Sequence, residues 1–358
     1  MMPAFIIAEA GVNHNGDVRL AHRLVEVAAA CGADAVKFQT FVAGEIAAAD
    51  AGKCGYQLET TNASESQQTM LRRLELPFPA FGELKAHCSA LGIQFLSTPF
   101  DLPSLHFLTD ELGLDVLKLP SGEITNAPFL LAAARAGQRI ILSTGMSVLG
   151  EIEEALAVLA WGLTRSDTPS CRADLAQALD QPGVRSLLAR HVILLHCTSQ
   201  YPTPYGDVNL RAMDTLAAAF GMPVGLSDHT PGVAISVAAV ARGATVIEKH
   251  FTLDRDMDGP DHRASLDPAE LSDLVKAVRA VEVALGDGHK RPIGAEWENA
   301  RVVRKSLVAR RAIATGEVLT ADNVTAKRPG TGTSPMLYWD VLGKISARAY
   351  AEDEGIEP

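Results

Sequence analysis

"IIAEAGVNHNG", residues 6–16, is an apolar run that halts at a carboxylate, Glu9, and then turns into a polar cluster of Asn13, His14 and Asn15 between glycines. A short apolar run bounded by turn residues reads as a buried strand. The residues just after this strand select between two α/β architectures. A doubly wound sheet usually announces itself with G-x-G-x-x-G after its first strand, and "AEAGVNHNG" does not have that pattern. The alternative, a barrel, delivers polar residues from every strand end to one face. On that reading Glu9 is a candidate for chemistry, whereas an ordinary strand end would use its polar residues only for turn hydrogen bonds.

Outward from this segment the same unit recurs. Strand candidates are "FIIAEA" (5–10), "AVKFQT" (35–40), "IQFLSTP" (93–99), "VLKLPS" (116–121), "RIILSTG" (139–145), "VILLHCTS" (192–199), "PVGLSDH" (223–229) and "TVIEKHF" (245–251). Between them lie helical patterns, such as Leu20, Leu24, Val27 and Cys31, or Ile152, Leu156 and Leu159. Eight strand-then-helix units over about 285 residues predict a (β/α)8 barrel. We expect the barrel to occupy residues 1–286, a linker 287–302 and a small domain 303–358, where short strands and glycine turns replace long amphipathic helices. Residues 41–62 read as a long loop on the functional face, and 164–190 as an insertion at the opposite end.

Composition narrows the partners. The 32 basic and 43 acidic residues give a net charge of −11 with no compact basic run, which argues against nucleic acid. No apolar run approaches the ~20 residues of a membrane span. Glu9 interrupts the only N-terminal apolar stretch, so no secretory signal is expected. Five scattered cysteines without C-x-x-C spacing fit neither a disulfide framework nor a zinc cluster. The expected location is the cytoplasm.

The strand ends carry Glu9, Lys37, Gln39, Thr98, Lys118, Ser121, Glu123, Ser143, Thr144, Thr198, Ser199, Ser227, His229, Glu248 and His250. His229 and His250 close the seventh and eighth strands, which are barrel neighbours, so two imidazoles can converge on one cation. Two nitrogens without a thiolate suit Mn²⁺ or another borderline divalent ion, with Glu248 orienting a ligand from behind. Lys37 and Lys118 lie inside strands, where a charge must be paired or face a ligand. A phosphate or carboxylate guest, a Schiff base and pairing with barrel glutamates all satisfy that demand.

The motifs "IAEAGVNHNG", "AVKFQT", "FLSTPFD", "KLPSGEITN", "ILSTGM", "HCTSQYPTPYGDVNL", "GLSDHT", "IEKHFTLDRDMDGPDHRASL" and "KRPGTG" occur in the order and spacing of the bacterial sialic acid synthases, which this chain resembles over nearly its whole length. The resemblance implies a TIM barrel followed by a small antifreeze-like (SAF) domain, assembled as a domain-swapped homodimer. It implies condensation of phosphoenolpyruvate with an acetamido-mannose-type sugar: N-acetylmannosamine to give N-acetylneuraminate, or 2,4-diacetamido-2,4,6-trideoxymannose to give N,N'-diacetyllegionaminate. By motif, His229 and His250 would bind Mn²⁺, Mg²⁺ or a similar ion. Lys37, Gln39, Thr98, Lys118, Ser121, Ser199 and Ser227 would hold phosphoenolpyruvate, although family members commonly have asparagine where this chain has Ser199. Glu123, Tyr201, Asp261 and the partner-supplied Arg328 would meet the sugar, and Glu9 would lie between the substrates. A carbohydrate- or ice-binding protein using the small domain is the non-enzyme alternative.

Overall fold

The computed structural model describes residues 3–357. These divide into two compact units, one ending at Gly286 and the other beginning at Asp287. The first is the expected (β/α)8 barrel. Its strands are β1 (Phe5–Gly11), β2 (Ala35–Thr40), β3 (Gln94–Pro99), β4 (Val116–Leu119), β5 (Arg139–Ser143), β6 (Val192–Cys197), β7 (Val224–Asp228) and β8 (Val246–His250). The hydrogen-bonded order runs β3-β2-β1-β8-β7-β6-β5-β4, and the ring meets where β3 lies against β4.

Strand alternation builds the site. Side chains that face inward near the strand starts, Ile7, Ala35, Leu96, Val116, Ile141, Leu195 and Val246, form a closed apolar layer. Two residues further along the same faces come Glu9, Lys37, Thr98, Lys118, Ser143, Cys197 and Glu248, all buried. A dry apolar plug thus supports a buried polar layer. The intervening residues, including Ile6, Ala8, Val36, Phe38, Leu117, Leu142, Leu226 and Ile247, point outward and join the larger core beneath the helices.

Two stretches differ from the sequence reading. Residues 41–62 contain helices Ala43–Ile46 and Gly55–Thr60, with Gln67–Leu74 coming next, so the loop is locally ordered. The 164–190 insertion forms helices Arg172–Leu179 and Val184–His191. Instead of staying at the opposite end, it packs back along helix Leu149–Thr164, reaching the neighbourhood of Ile124 and Thr125 beyond β4.

In the second unit β9 (Ser306–Ala309) pairs antiparallel with β10 (Val324–Lys327). Leu307, Ala309, Ile313, Leu319, Val324, Val341, Tyr350 and Ile356 form its core. The stretch read as a helix-poor linker contains helix Gly294–Val303. That helix buries none of its residues, so no apolar periodicity announced it. Its start is held instead by the Glu296 carboxylate, which accepts from the Ile293 backbone N–H at 2.9 Å.

Candidate active site

A cavity of about 380 Å³ opens at the C-terminal ends of the barrel strands. Its wall brings together fourteen of the residues singled out by sequence: Glu9, Lys37, Gln39, Thr98, Lys118, Ser121, Ser143, Ser199, Tyr201, Ser227, His229, Glu248, His250 and Asp261. Glu123 does not line this cavity; its Oε2 accepts from Asn126 Nδ2 at 2.6 Å. Arg328 is exposed on the second unit, just beyond β10. A larger groove, about 560 Å³, lies outside the barrel between helices Ala127–Arg135, Leu149–Thr164 and Arg172–Leu179. Its acidic and basic side chains lie at an exposed rim, so it lacks the buried charges that chemistry in the barrel can use.

At the cavity floor the ladder sets Glu9 opposite Lys37 on one side and His250 on the other. Lys37 Nζ lies 2.7 Å from Glu9 Oε1 and 3.6 Å from Glu248 Oε2, and donates to Thr98 Oγ1 at 2.8 Å. Lys118 Nζ is 3.6 Å from Glu248 Oε1 and donates to the Leu119 carbonyl at 3.2 Å. The lysines are therefore paired with barrel glutamates and also face the cavity. Glu248 serves these lysines and Ser227, whose hydroxyl donates to it at 2.8 Å, rather than orienting a histidine.

Burial sets the electrostatics. It pushes Glu9 up to about 7 against the attraction of Lys37, helped by repulsion from Glu248. Burial also works against the charge on Glu248, but Lys118 and Lys37 outweigh it and hold that carboxyl at about 2. Lys37 is raised despite burial because Glu248 and Glu9 flank it, whereas burial lowers Lys118. With Glu248 firmly ionised and Glu9 partly neutral, two ammonium groups face fewer than two negative charges. The floor is left with a surplus of positive charge suited to an anion.

The paired histidines stand above this layer with ring centroids 5.5 Å apart. His229 Nδ1 donates to the Thr198 carbonyl at 2.7 Å; a carbonyl only accepts, so Nε2 keeps its lone pair in the neutral ring. His250 Nδ1 is buried without a hydrogen-bond partner, and the nearest carboxylate, Asp261 Oδ2, is 3.9 Å away. Burial, then the proximity of His229, drives His250 well below its ordinary value, and burial raises Asp261 to about 6. Tyr201 packs 4.1 Å from the His229 ring and 5.7 Å from His250. Among the described residues no group of three or more His, Cys, Asp or Glu is arranged around one cation.

Sequence reading missed Tyr56, whose ring lies 4.9 Å from Tyr201, and Cys197, whose Sγ is 3.9 Å from His229 Nδ1. Tyr56 comes from the segment between β2 and β3, where no pattern indicated direction. Cys197 ends β6 two residues beyond inward-facing Leu195, so alternation alone could have found it. The polar cluster after Glu9 divides from it. Asn13 Nδ2 donates to the Phe251 carbonyl at 2.8 Å and to Ser265 Oγ at 3.0 Å, while Asn15 Nδ2 donates to the Asp258 carbonyl at 2.8 Å. Those asparagines tie the β1 turn to the segment after β8, and Glu9 alone turns to the cavity.

Residues 24–290 match the NeuB family and residues 304–358 the SAF domain. The chain belongs to the NeuB family. It is 50% identical to the N,N'-diacetyllegionaminic acid synthase of Campylobacter jejuni, over 99% of each chain. Its identity to the human N-acetylneuraminate-9-phosphate synthase is 34%, over 99% of this chain and 91% of the other. The crystal structure of the N-acetylneuraminic acid (sialic acid) synthetase of Leptospira borgpetersenii in complex with citrate aligns with a TM-score of 0.67. It is 34% identical and covers 83% of this chain and 90% of that one. For this NeuB-family chain, the barrel and the SAF domain expected from the motifs are therefore both present.

Proposed function

We propose that this enzyme condenses phosphoenolpyruvate with 2,4-diacetamido-2,4,6-trideoxymannose and water, giving N,N'-diacetyllegionaminate and phosphate. The observation that carries the reaction class is the buried layer of Glu9, Lys37, Lys118 and Glu248 beneath the paired imidazoles of His229 and His250. The choice of sugar rests on the 50% identity to a protein named for that product, against 34% to one named for the neuraminate phosphate. N-acetylmannosamine, the first substrate suggested by the motifs, becomes the comparison substrate. Sugar or ice binding by the SAF domain alone leaves the buried charges of the barrel without a use.

The residues divide the work. Lys37 and Lys118 bind the phosphate and carboxylate of phosphoenolpyruvate, with Gln39, Thr98, Ser121 and Ser199 donating around them and Ser227 turning its hydroxyl from Glu248 to the bound substrate. Thr98 also accepts from Lys37, which keeps that ammonium directed at the cavity. Tyr201 and Asp261 meet the sugar, joined by Glu123 and Arg328 when the site is complete. His229 Nε2 and the orphaned His250 Nδ1 fit a divalent ion such as Mn²⁺, with substrate oxygens and water filling the other positions. When bound, that ion would supply Lewis-acid polarisation of the open-chain aldehyde.

Carbon 3 of phosphoenolpyruvate attacks the aldehyde carbon with the electron pair of its C2=C3 π bond, and the aldehyde oxygen, as its own π bond opens, takes a proton from solvent water. Positive charge develops at C2, and water adds there while Glu9 stabilises the charge and accepts a proton from the water. The resulting tetrahedral C2 expels phosphate by C–O cleavage, the proton of its new hydroxyl leaves with the phosphate, and C2 becomes the ketone. We also propose a domain-swapped homodimer in which Arg328 reaches the partner's barrel. Phosphate release should require phosphoenolpyruvate and the diacetamido sugar, with N-acetylmannosamine turned over more slowly, and mass spectrometry should identify the keto acid. Exhaustive chelation should abolish release and Mn²⁺ should restore it. Full turnover after chelation would remove the ion from the mechanism, and a preference for N-acetylmannosamine would reverse the choice of sugar.

A further inference from the structure

Behind the two histidines lies an ion pair that the proposed chemistry does not use. Asp228 and Lys249 immediately precede His229 and His250 in the chain and are ladder partners across β7 and β8. Because side chains alternate, histidines that face the cavity require these neighbours to point outward, into a layer where Leu226 and Ile247 are apolar. Both are nearly inaccessible, at 2% and 1% exposure. Lys249 Nζ lies 2.9 Å from Asp228 Oδ2. Charges in such a layer bring a desolvation cost that packed apolar residues would avoid.

The contacts of the pair converge on the residue next after His229. Asp228 Oδ1 accepts from the Thr230 backbone N–H at 2.8 Å and from its hydroxyl at 2.7 Å, and Oδ2 accepts from Ser236 Oγ at 2.6 Å. Lys249 Nζ donates to the Thr230 carbonyl at 2.5 Å. The peptide groups on both sides of Thr230 are thus tied to the pair. The His229 carbonyl is separately held by the Thr203 N–H at 2.8 Å, and the His250 carbonyl by the Leu266 N–H at 2.9 Å. The turn that ends β7 is locked to the last outward-facing residue of β8.

We propose that Asp228 and Lys249 are positioning residues that fix the mutual aim of His229 and His250, so that the two rings form one two-nitrogen metal site. This rests on the reading of those histidines as metal ligands. A purely structural pair and a positioning pair predict different results when both charges are removed together. Asp228→Asn/Lys249→Met leaves no unpaired charge in the core, so the fold should hold, with a melting temperature near that of the wild type or above it. Manganese affinity, read by electron paramagnetic resonance of free Mn²⁺ without substrates, should nevertheless weaken by about tenfold or more, the range seen when groups supporting metal ligands are lost. A folded double variant that binds Mn²⁺ as the wild type does would overturn the inference while leaving the histidine site intact. Wild-type protein that binds no Mn²⁺ would remove the histidine site and this inference with it. If the double variant fails to fold, Ser236→Ala supplies the test, since it removes only the hydroxyl that steadies Asp228 Oδ2. It should weaken Mn²⁺ binding several-fold, and unchanged affinity would overturn the proposal.

Discussion

Glu9 is buried between Lys37 and His250, and one of its oxygens, Oε2, has no hydrogen-bond partner. A carboxyl raised to about 7 is well matched to taking a proton near neutral pH. We expect Glu9→Gln to lower kcat by about 10² or more with a modest change in KM, because the lost interaction arises mainly in the transition state. The pH dependence of kcat/KM in the wild type should rise through about 7, and that limb should vanish in the variant. Stability runs the other way. A carboxyl raised in the folded state binds its proton more tightly there than in the unfolded chain. Its stabilising contribution is full below its ordinary value of 4.5 and is lost as pH rises through about 7. Glu9→Gln should therefore melt above the wild type at pH 8, and the advantage should shrink towards pH 5. A variant with unchanged kcat, whatever its melting curve, would return Glu9 to an ordinary strand-end role.

At the scale of elements, the end of β5 shows how closely the barrel's polar rim is packed. Gly145 comes after Ser143 and Thr144, and its backbone N–H donates to Ser121 Oγ at 2.9 Å. A Cβ added there would lie 2.5 Å from Ser199 Oγ and 2.8 Å from Ser121 Oγ. Both atoms belong to short side chains that can rotate, so the chain can accommodate alanine only by moving hydroxyls assigned to phosphoenolpyruvate. Gly145→Ala should raise the KM for phosphoenolpyruvate by about tenfold, equivalent to losing about 1.4 kcal/mol of binding. The melting temperature should change little. Steady-state kinetics with the sugar saturating, beside a thermal melt, checks this. An unchanged KM would mean that Ser121 and Ser199 do not touch the substrate.

At the scale of the whole molecule, Arg328 belongs to the second unit while the other proposed substrate contacts belong to the first. In a swapped dimer a Lys37→Ala chain and an Arg328→Ala chain would each be nearly inactive alone. Mixed dimers would contain one intact site, formed by the Arg328→Ala barrel and the unaltered Arg328 of its partner. After random exchange of equal amounts, half of the dimers are mixed and each has one good site, so roughly a quarter of wild-type phosphate release should return. Verified exchange without recovery would show that Arg328 acts within its own chain or lies outside the site.

The sequence by itself determined what depends on local periodicity. All eight strands lie where alternating or apolar runs placed them, to within a residue or two at most ends, because the two-residue period of a strand is a local property of the backbone. Reading the ends of those strands brought Glu9, Lys37, Lys118 and His250 to one end of the barrel before any long-range contact was known. Helix Gly294–Val303 escaped this reading because it buries no face, and Tyr56 did so because its segment has no repeating pattern. Only the tertiary structure decided how the charges are shared. Closure of the ring sets β1 beside β8, across more than two hundred residues of sequence, so that Glu9 meets His250 and Glu248 balances two lysines at once. The Asp228–Lys249 pair was likewise unreadable as a pair, since opposite charges on separate strands become partners only through the ladder register. Barrel closure is also what excludes water from these groups, and burial is the largest influence on the acidity of Glu9, Lys118 and His250.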